Sequence, residues 1–211
     1  MEVIPVYLTI LRLLLPFTIL RWPLLGILAA TFADMYDWKL INAQSPSDYE
    51  YYQNWDKLLD LYYLSFALIV VFRWREHLAK KLAILFFLVR VVGIGLFWLL
   101  GIKSFLFFFP NIFENFFIFY TSFLYFTKGQ RLFTSWRFTA TLLLSLIIPK
   151  LVHEYFMHYL GKQPWELYDA GALLGFSGIF QEYTNHLVFG TLFYIVPFLI
   201  FLQIAKKRGV Y

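Results

Sequence analysis

Residues 82–101, LAILFFLVRVVGIGLFWLLG, decide the class of this chain. A helix that crosses a bilayer needs about 20 consecutive apolar residues. This run supplies them, with Arg90 as its only charge. The composition around it agrees. The 211-residue chain is 61% hydrophobic and 15% charged, whereas a soluble domain carries about 25% charged residues. Mean hydropathy is +0.65. The 26 Phe, 15 Tyr and 7 Trp suit lipid-facing surfaces and interfacial belts.

Working outward from this segment, apolar runs of suitable length recur on both sides. On the N-terminal side, Val3 to Leu20 is a first helix, interrupted only by Arg12. Arg21, Trp22 and Pro23 make a tight break, and Pro23 to Tyr36 reads as a short second helix. Residues 38–55, WKLINAQSPSDYEYYQNW, are polar and aromatic and read as a loop. A third helix is expected from Asp56 to Phe72, then a basic loop at 73–81. On the C-terminal side, Ser104 to Phe126 is a fifth helix that Pro110 should kink or interrupt. A second basic loop covers 128–137, and a sixth helix runs from Phe138 to His153. Residues 164–183 read as a re-entrant or interfacial helix, and His186 to Ala205 as a last crossing. The expectation is all-α: a polytopic transmembrane bundle of about seven spans plus a re-entrant helix. No linker divides it, so residues 1–211 read as a single integral membrane domain.

Several classes are excluded. The N-terminus lacks a basic stretch and a small-residue cleavage site, so the first helix should stay as an anchor. The absence of Cys removes disulfides, thiolate metal sites and a cysteine nucleophile. The net charge of +5 sits mostly in short loops. It reads as a topology signal rather than a nucleic-acid footprint. Membrane lipids are the expected partners, and the plasma (cell inner) membrane the expected location. The small residues Gly171, Ala172, Gly175 and Gly178 would permit close helix contact, including a homodimer.

The chemistry concentrates in four acids. Asp34 and Asp37 lie three apart, Asp56 and Asp60 four apart, so each pair falls on one helical face. Apolar helices precede the first pair and follow the second. Packing those helices would gather all four near a bilayer surface. Like charges at that density call for a bound cation or a shared proton, and Mg2+ is the natural cation for carboxylates plus a substrate phosphate. Ordinary helix-end acids are the alternative. Asp56 and Asp60 begin a helix, where the dipole favours anions, but Asp34 and Asp37 close one, where it does not.

The arrangement resembles the CDP-alcohol phosphatidyltransferase family of membrane enzymes, whose signature is D-x2-D-G-x2-A-R followed by G-x3-D-x3-D. Asp34-Met35-Tyr36-Asp37 and Asp56-Lys57-Leu58-Leu59-Asp60 match its acids. LTILRLLLPF (Leu8 to Phe17) and YYLSFALIVV after Asp60 are similar to the flanking helices, so the likeness covers residues 5–75. The family's small and basic positions are occupied here by Trp38, Ile41, Asn42 and Tyr52. The resemblance implies that Asp34, Asp37 and Asp56 hold Mg2+ or Mn2+ and that Asp60 is the catalytic base. Arg12 and Arg90 would bind substrate. The implied reaction joins a CDP-activated lipid to an alcohol and releases CMP.

Other readings stay open. Loops 73–81, 128–137 and the C-terminus carry the positive charge, and the positive-inside rule puts them in the cytoplasm. Residues 38–55 would then face outside, the wrong side for a cytidine nucleotide. A transporter or channel with an acidic ion path is one alternative, since charges inside membranes mark such paths. A catalytically silent scaffold, with Trp38, Asn42 and Tyr52 closing the nucleotide pocket, is another. Arg90 should pair with the acids or hold a phosphate. Glu114, between Asn111 and Asn115, should bridge to Arg90 or line a polar cavity. His153, Glu154 and His158 lack the spacing of a zinc-protease helix and read as interfacial residues. The Phe-rich run FLFFFPNIFENFFIFY reads as lipid-facing packing, and Tyr49, Tyr51, Tyr52 and Trp55 as an interfacial belt.

Overall fold

The computed structural model describes residues 3–37, 39–127, 131–133, 135–160, 169–175, 177, 178, 181, 184, 185 and 203. Among them the protein is helical, with no strand. The helices are α1 (Val6–Leu14), α2 (Phe17–Arg21), α3 (Pro23–Asp37), α4 (Pro46–Val71), α5 (His77–Leu100), α6 (Ser104–Phe108), α7 (Ile112–Thr127), α8 (Trp136–Glu154) and α9 (Ala170–Leu173). A π-helical turn, Tyr155–Tyr159, continues α8. The last expected helix, His186 to Ala205, apart from residue 203, and half of the expected re-entrant segment lie outside the described residues.

Seven spans are not supported. Among the described helices only α5 is both long and apolar enough to cross a bilayer, with mean hydropathy 2.5 over its best window. The others are cut by identifiable residues. Pro16 has no amide to donate, so the first apolar run splits into α1 and α2 rather than continuing to Leu20. Trp22 leaves the helical region (φ −130°, ψ 77°), and Pro23 opens α3. Gly26 then lets α3 turn back onto α2. A Cβ at that position would stand 2.4 Å from the Ile19 nitrogen. Pro110 divides the fifth run into α6 and α7, as its sequence predicts.

The third helix corrects another expectation. It starts at Pro46 rather than Asp56, and most of the expected loop is helical. Ser45 is the N-cap. Its Oγ accepts from the Asp48 amide (3.2 Å) and its own amide donates to Asp48 Oδ2 (3.0 Å), a reciprocal capping box. Pro46 sits at the first helical position, where its missing amide costs nothing. The Gln44 amide, and then Ser45, hold the Asp48 carboxyl below its ordinary range. A depressed folded-state pKa gives stability that is present above the unfolded value and lost as pH falls through the folded one. The first turn of α4 is therefore expected to fray below the usual carboxylate range. Amide exchange at Ser47 to Tyr49 reads this directly, and protection independent of pH would refute it.

The core lies where α5 and α7 cross. Phe86 meets Phe116 edge-on at 5.4 Å, and Phe87 meets Phe113 at 5.4 Å. Trp74 stacks on Phe117 at 5.6 Å. The Phe-rich run is thus interior over its second half: Phe113, Phe116, Phe117, Phe119 and Tyr120 are buried. It was expected to face lipid. The reason is position, because α7 packs against α3, α4, α5 and α8 and has almost no free face. Glu76, just before α5, ties this core to the next loop. Its carboxylate accepts from the Tyr120 hydroxyl (3.0 Å) and from the amides of Leu132 (3.0 Å) and Phe133 (2.8 Å).

Candidate functional site

The four acids do converge, and Arg12 is what they converge on. α1 packs on α3 and α4, and Arg12 is the one charged residue of α1. Only 4% exposed, it points between the two partner helices. Its Nη2 lies 2.5 Å from Asp34 Oδ1 and 3.5 Å from Asp60 Oδ1. Its Nη1 lies 3.0 Å from Asp56 Oδ1 and also holds Asp37. The guanidinium stands over the Trp55 ring, 5.3 Å from its centroid. A planar fork with five donors suits such a position, whereas a single ammonium could not serve four carboxylates at once.

Two more cations close the cluster. Lys57 Nζ sits 2.5 Å from Asp56 Oδ2 and 3.2 Å from Asp60 Oδ2. Arg90, from the middle of α5, places Nη2 3.1 Å from Asp60 Oδ2. Its Nε and Nη1 are buried without a hydrogen-bond partner among the described residues. Tyr52 donates its hydroxyl to Asp37. Four carboxylates therefore face three cations, leaving one net negative charge within the described cluster.

Helix register explains the convergence. Tyr52, Asp56 and Asp60 are spaced by four along α4 and share one face, with Trp55 beside them. Asp34 and Asp37 occupy the last turn of α3. That turn is braced from below: Thr31, one turn before Asp34, donates to Glu114 Oε1 at 2.5 Å. Asn111 Nδ2 donates to Glu114 Oε2 at 2.8 Å, and Asn111 Oδ1 accepts the Glu114 amide. Glu114 thus joins α7 to α3 through neutral partners rather than bridging to Arg90, because Arg90 is engaged by Asp60.

No known protein family matches the chain, and no similar characterised protein or solved structure is found. The chemistry must be read from the donor set itself. Carboxylate oxygens of Asp34, Asp56 and Asp60 lie within 4.8 Å of one another. Three hard oxygen donors this close together could hold a metal ion. The expected trio was different. Asp37 is fully buried against Arg12 and Tyr52, and Asp60, expected as the base, joins the cluster in its place.

Arg12 and Arg90, which the resemblance assigns to substrate, both pair with the acids, and for Arg90 that pairing is one of the two readings the sequence offers. Lys57 was missed by sequence reasoning, and Tyr52 and Trp55, read there as an interfacial belt, belong to the cluster. The place of Tyr52 and Trp55 in the cluster could have been found from their i−4 and i−1 relation to Asp56 once the helix start at Ser45 was recognised. Elsewhere, Lys150 and Glu154 form a buried pair at 3.0 Å on α8.

Proposed function

We propose that the chain is a membrane-embedded protein whose acidic cluster runs metal-dependent phosphoryl-linked lipid chemistry of the CDP-alcohol phosphatidyltransferase type. The observation that carries the reading is the meeting of the D-x2-D and D-x3-D carboxylates within 4.8 Å at Asp34, Asp56 and Asp60. Membrane embedding is supported by α5 and by large apolar side chains left bare, among them Leu25 (69%), Leu99 (82%) and Tyr125 (72%). Further crossings would be assembled from the interrupted helices packed beside α5, in the plasma (cell inner) membrane.

In this reading Asp34 and Asp56 hold Mg2+ or Mn2+, with Asp60 beside them. A divalent ion there supplies charge neutralisation for a diphosphate and its leaving group. Asp60 accepts the proton of the acceptor alcohol. The alcohol oxygen forms a bond to the lipid-side phosphorus, the bond from that phosphorus to CMP breaks, and CMP leaves. Arg12 holds the two acidic helices in register while this happens.

One observation favours a second reading, a catalytically silent scaffold. The carboxylates already have internal counter-ions, and the guanidinium of Arg12 fills their centre. Two measurements decide. Purified protein in lipid micelles with a CDP-lipid, a panel of polyol acceptors and Mg2+ is expected to release CMP, and chelation is expected to stop it. No CMP with any acceptor sinks the enzymatic reading. A Ser47→Cys variant, in a chain with no other cysteine, is expected to react with an impermeant maleimide only after lysis. Labelling of intact cells would put the acids outside and exclude a cytoplasmic nucleotide donor.

A further inference from the structure

α4 carries Asp56 and Asp60 in its interior and ends at Val71, and the turn into α5 that follows is basic. Arg73, Arg75 and Lys81 are exposed there. Two further segments are fastened to this turn. Arg73 Nη1 donates to the Leu20 carbonyl at 3.3 Å, which brings in the end of α2 and its exposed Arg21. The Glu76 carboxylate accepts the Leu132 and Phe133 amides, which brings in the exposed Arg131. Lys80 is engaged internally, its Nζ donating to the Phe72 carbonyl at 2.9 Å at the end of α4. Three segments distant in sequence thus put Arg21, Arg73, Arg75, Lys81 and Arg131 at one end of the bundle. Among the described residues none of these forms an ion pair. Glu76 is the one acid between Phe72 and Lys81, and its oxygens are taken by the Tyr120 hydroxyl and the two amides.

The cations alternate with apolar side chains. Trp22 follows Arg21, Phe72 precedes Arg73, and Leu78 lies between Arg75 and Lys81; all three are exposed. A free phosphate ion offers nothing to such neighbours. A phospholipid offers both halves, an anionic phosphate for the cations and acyl carbon for the apolar groups. We propose that this end of the bundle is a docking surface for anionic phospholipid, assembled from the end of α2, the α4–α5 turn and the segment before α8. The inference rests on the membrane placement of α5 and is independent of the chemistry of the acids. α5 starts at this end, which sets the patch at the level of the headgroups. Clusters of roughly four to eight Lys or Arg beside a crossing helix attract anionic lipid. Because the cations here come from three parts of the chain, bound lipid also clamps α2 and residues 131–133 onto the start of α5.

The test is native mass spectrometry of the full chain in detergent, with phosphatidylglycerol or phosphatidylcholine of the same acyl chains. Wild type is expected to retain phosphatidylglycerol at least about tenfold more tightly. A triple variant, Arg75→Gln with Lys81→Gln and Arg131→Gln, removes exposed charges and none of the hydrogen bonds that join the segments. It is expected to lose the preference. Equal retention of the two lipids by wild type overturns the proposal, as does an undiminished preference in the folded triple variant. Displacement of phosphatidylglycerol by millimolar inorganic phosphate, with ionic strength held constant by chloride, would make the patch a site for soluble phosphate and overturns the lipid assignment. The unaltered protein gives a second readout. Phosphatidylglycerol, but not phosphatidylcholine, is expected to lower acetylation of Lys81 severalfold, read by mass spectrometry. Equal acetylation in the two lipids overturns the proposal even if the triple variant does not fold. Lipid preference and CMP release are read separately, so either can fail alone.

Discussion

Asp60→Asn is expected to lower CMP release by at least about 100-fold while the protein still folds. Positioned general bases contribute roughly 10²–10⁴-fold, and Asp60 is also one of the three converging oxygen donors. The amide keeps the size of the side chain and one oxygen. It cannot take the alcohol's proton, and it no longer balances Arg12, Lys57 and Arg90. Turnover and thermal unfolding should be measured together. Lost turnover with a modest drop in unfolding temperature supports catalysis at this residue. Turnover retained within a few-fold would mean that Asp60 is structural and that any base lies elsewhere. The silent-scaffold reading makes the opposite expectation, with only stability changing.

Arg12→Met is expected to cost stability more than any other single change, about 3–5 kcal/mol, the usual penalty for removing one partner of a buried ion pair. The methionine fills much of the volume, so the loss is electrostatic. Asp34, Asp37, Asp56 and Asp60 are then left facing one another with only Lys57 and Arg90 to offset them. Denaturant unfolding in detergent measures the cost. Arg12→Lys should recover only part of it, since an ammonium cannot reach acids on both helices. A loss below about 1 kcal/mol, the range of exposed pairs, would show the cluster to be solvated and the four contacts to be worth little.

Much of the site was legible in the sequence, and the failures have physical causes. The acids announced themselves because charge in an apolar chain is costly and the spacing put each pair on one face. Arg12 and Arg90 were visible for the same reason. For Arg90 a pairing with the acids was one of two readings, and Asp60 provides it; that all four acids would converge on Arg12 was not legible, because it depends on how α1 packs against α3 and α4, which no local pattern encodes. The start of α4 was misread since Asn, Ser, Pro and Asp were counted as loop formers. Yet Ser45-Pro46-Ser47-Asp48 is a helix start, with a cap, a proline and an acid in the order that satisfies free amides. Recognising it would have brought Tyr52 and Trp55 to the face of Asp56. The Phe-rich run was misjudged differently. Its composition suits lipid and protein interior equally, and only the neighbours of α7 separate them. Pro110 was read correctly because its effect is local and covalent.

The separation along the chain between Arg12 and its partners carries a consequence for biogenesis. Arg12 precedes Asp34 by 22 residues and Asp60 by 48. At roughly 5–20 residues per second, a ribosome needs several seconds after Arg12 to complete the set. Until Asp34 is made the Arg12 guanidinium has none of its four acids, and until Asp60 is made it lacks the full set. α1 is therefore secured only once α4 has been made, and a pause before α4 would prolong the time its guanidinium spends without those partners.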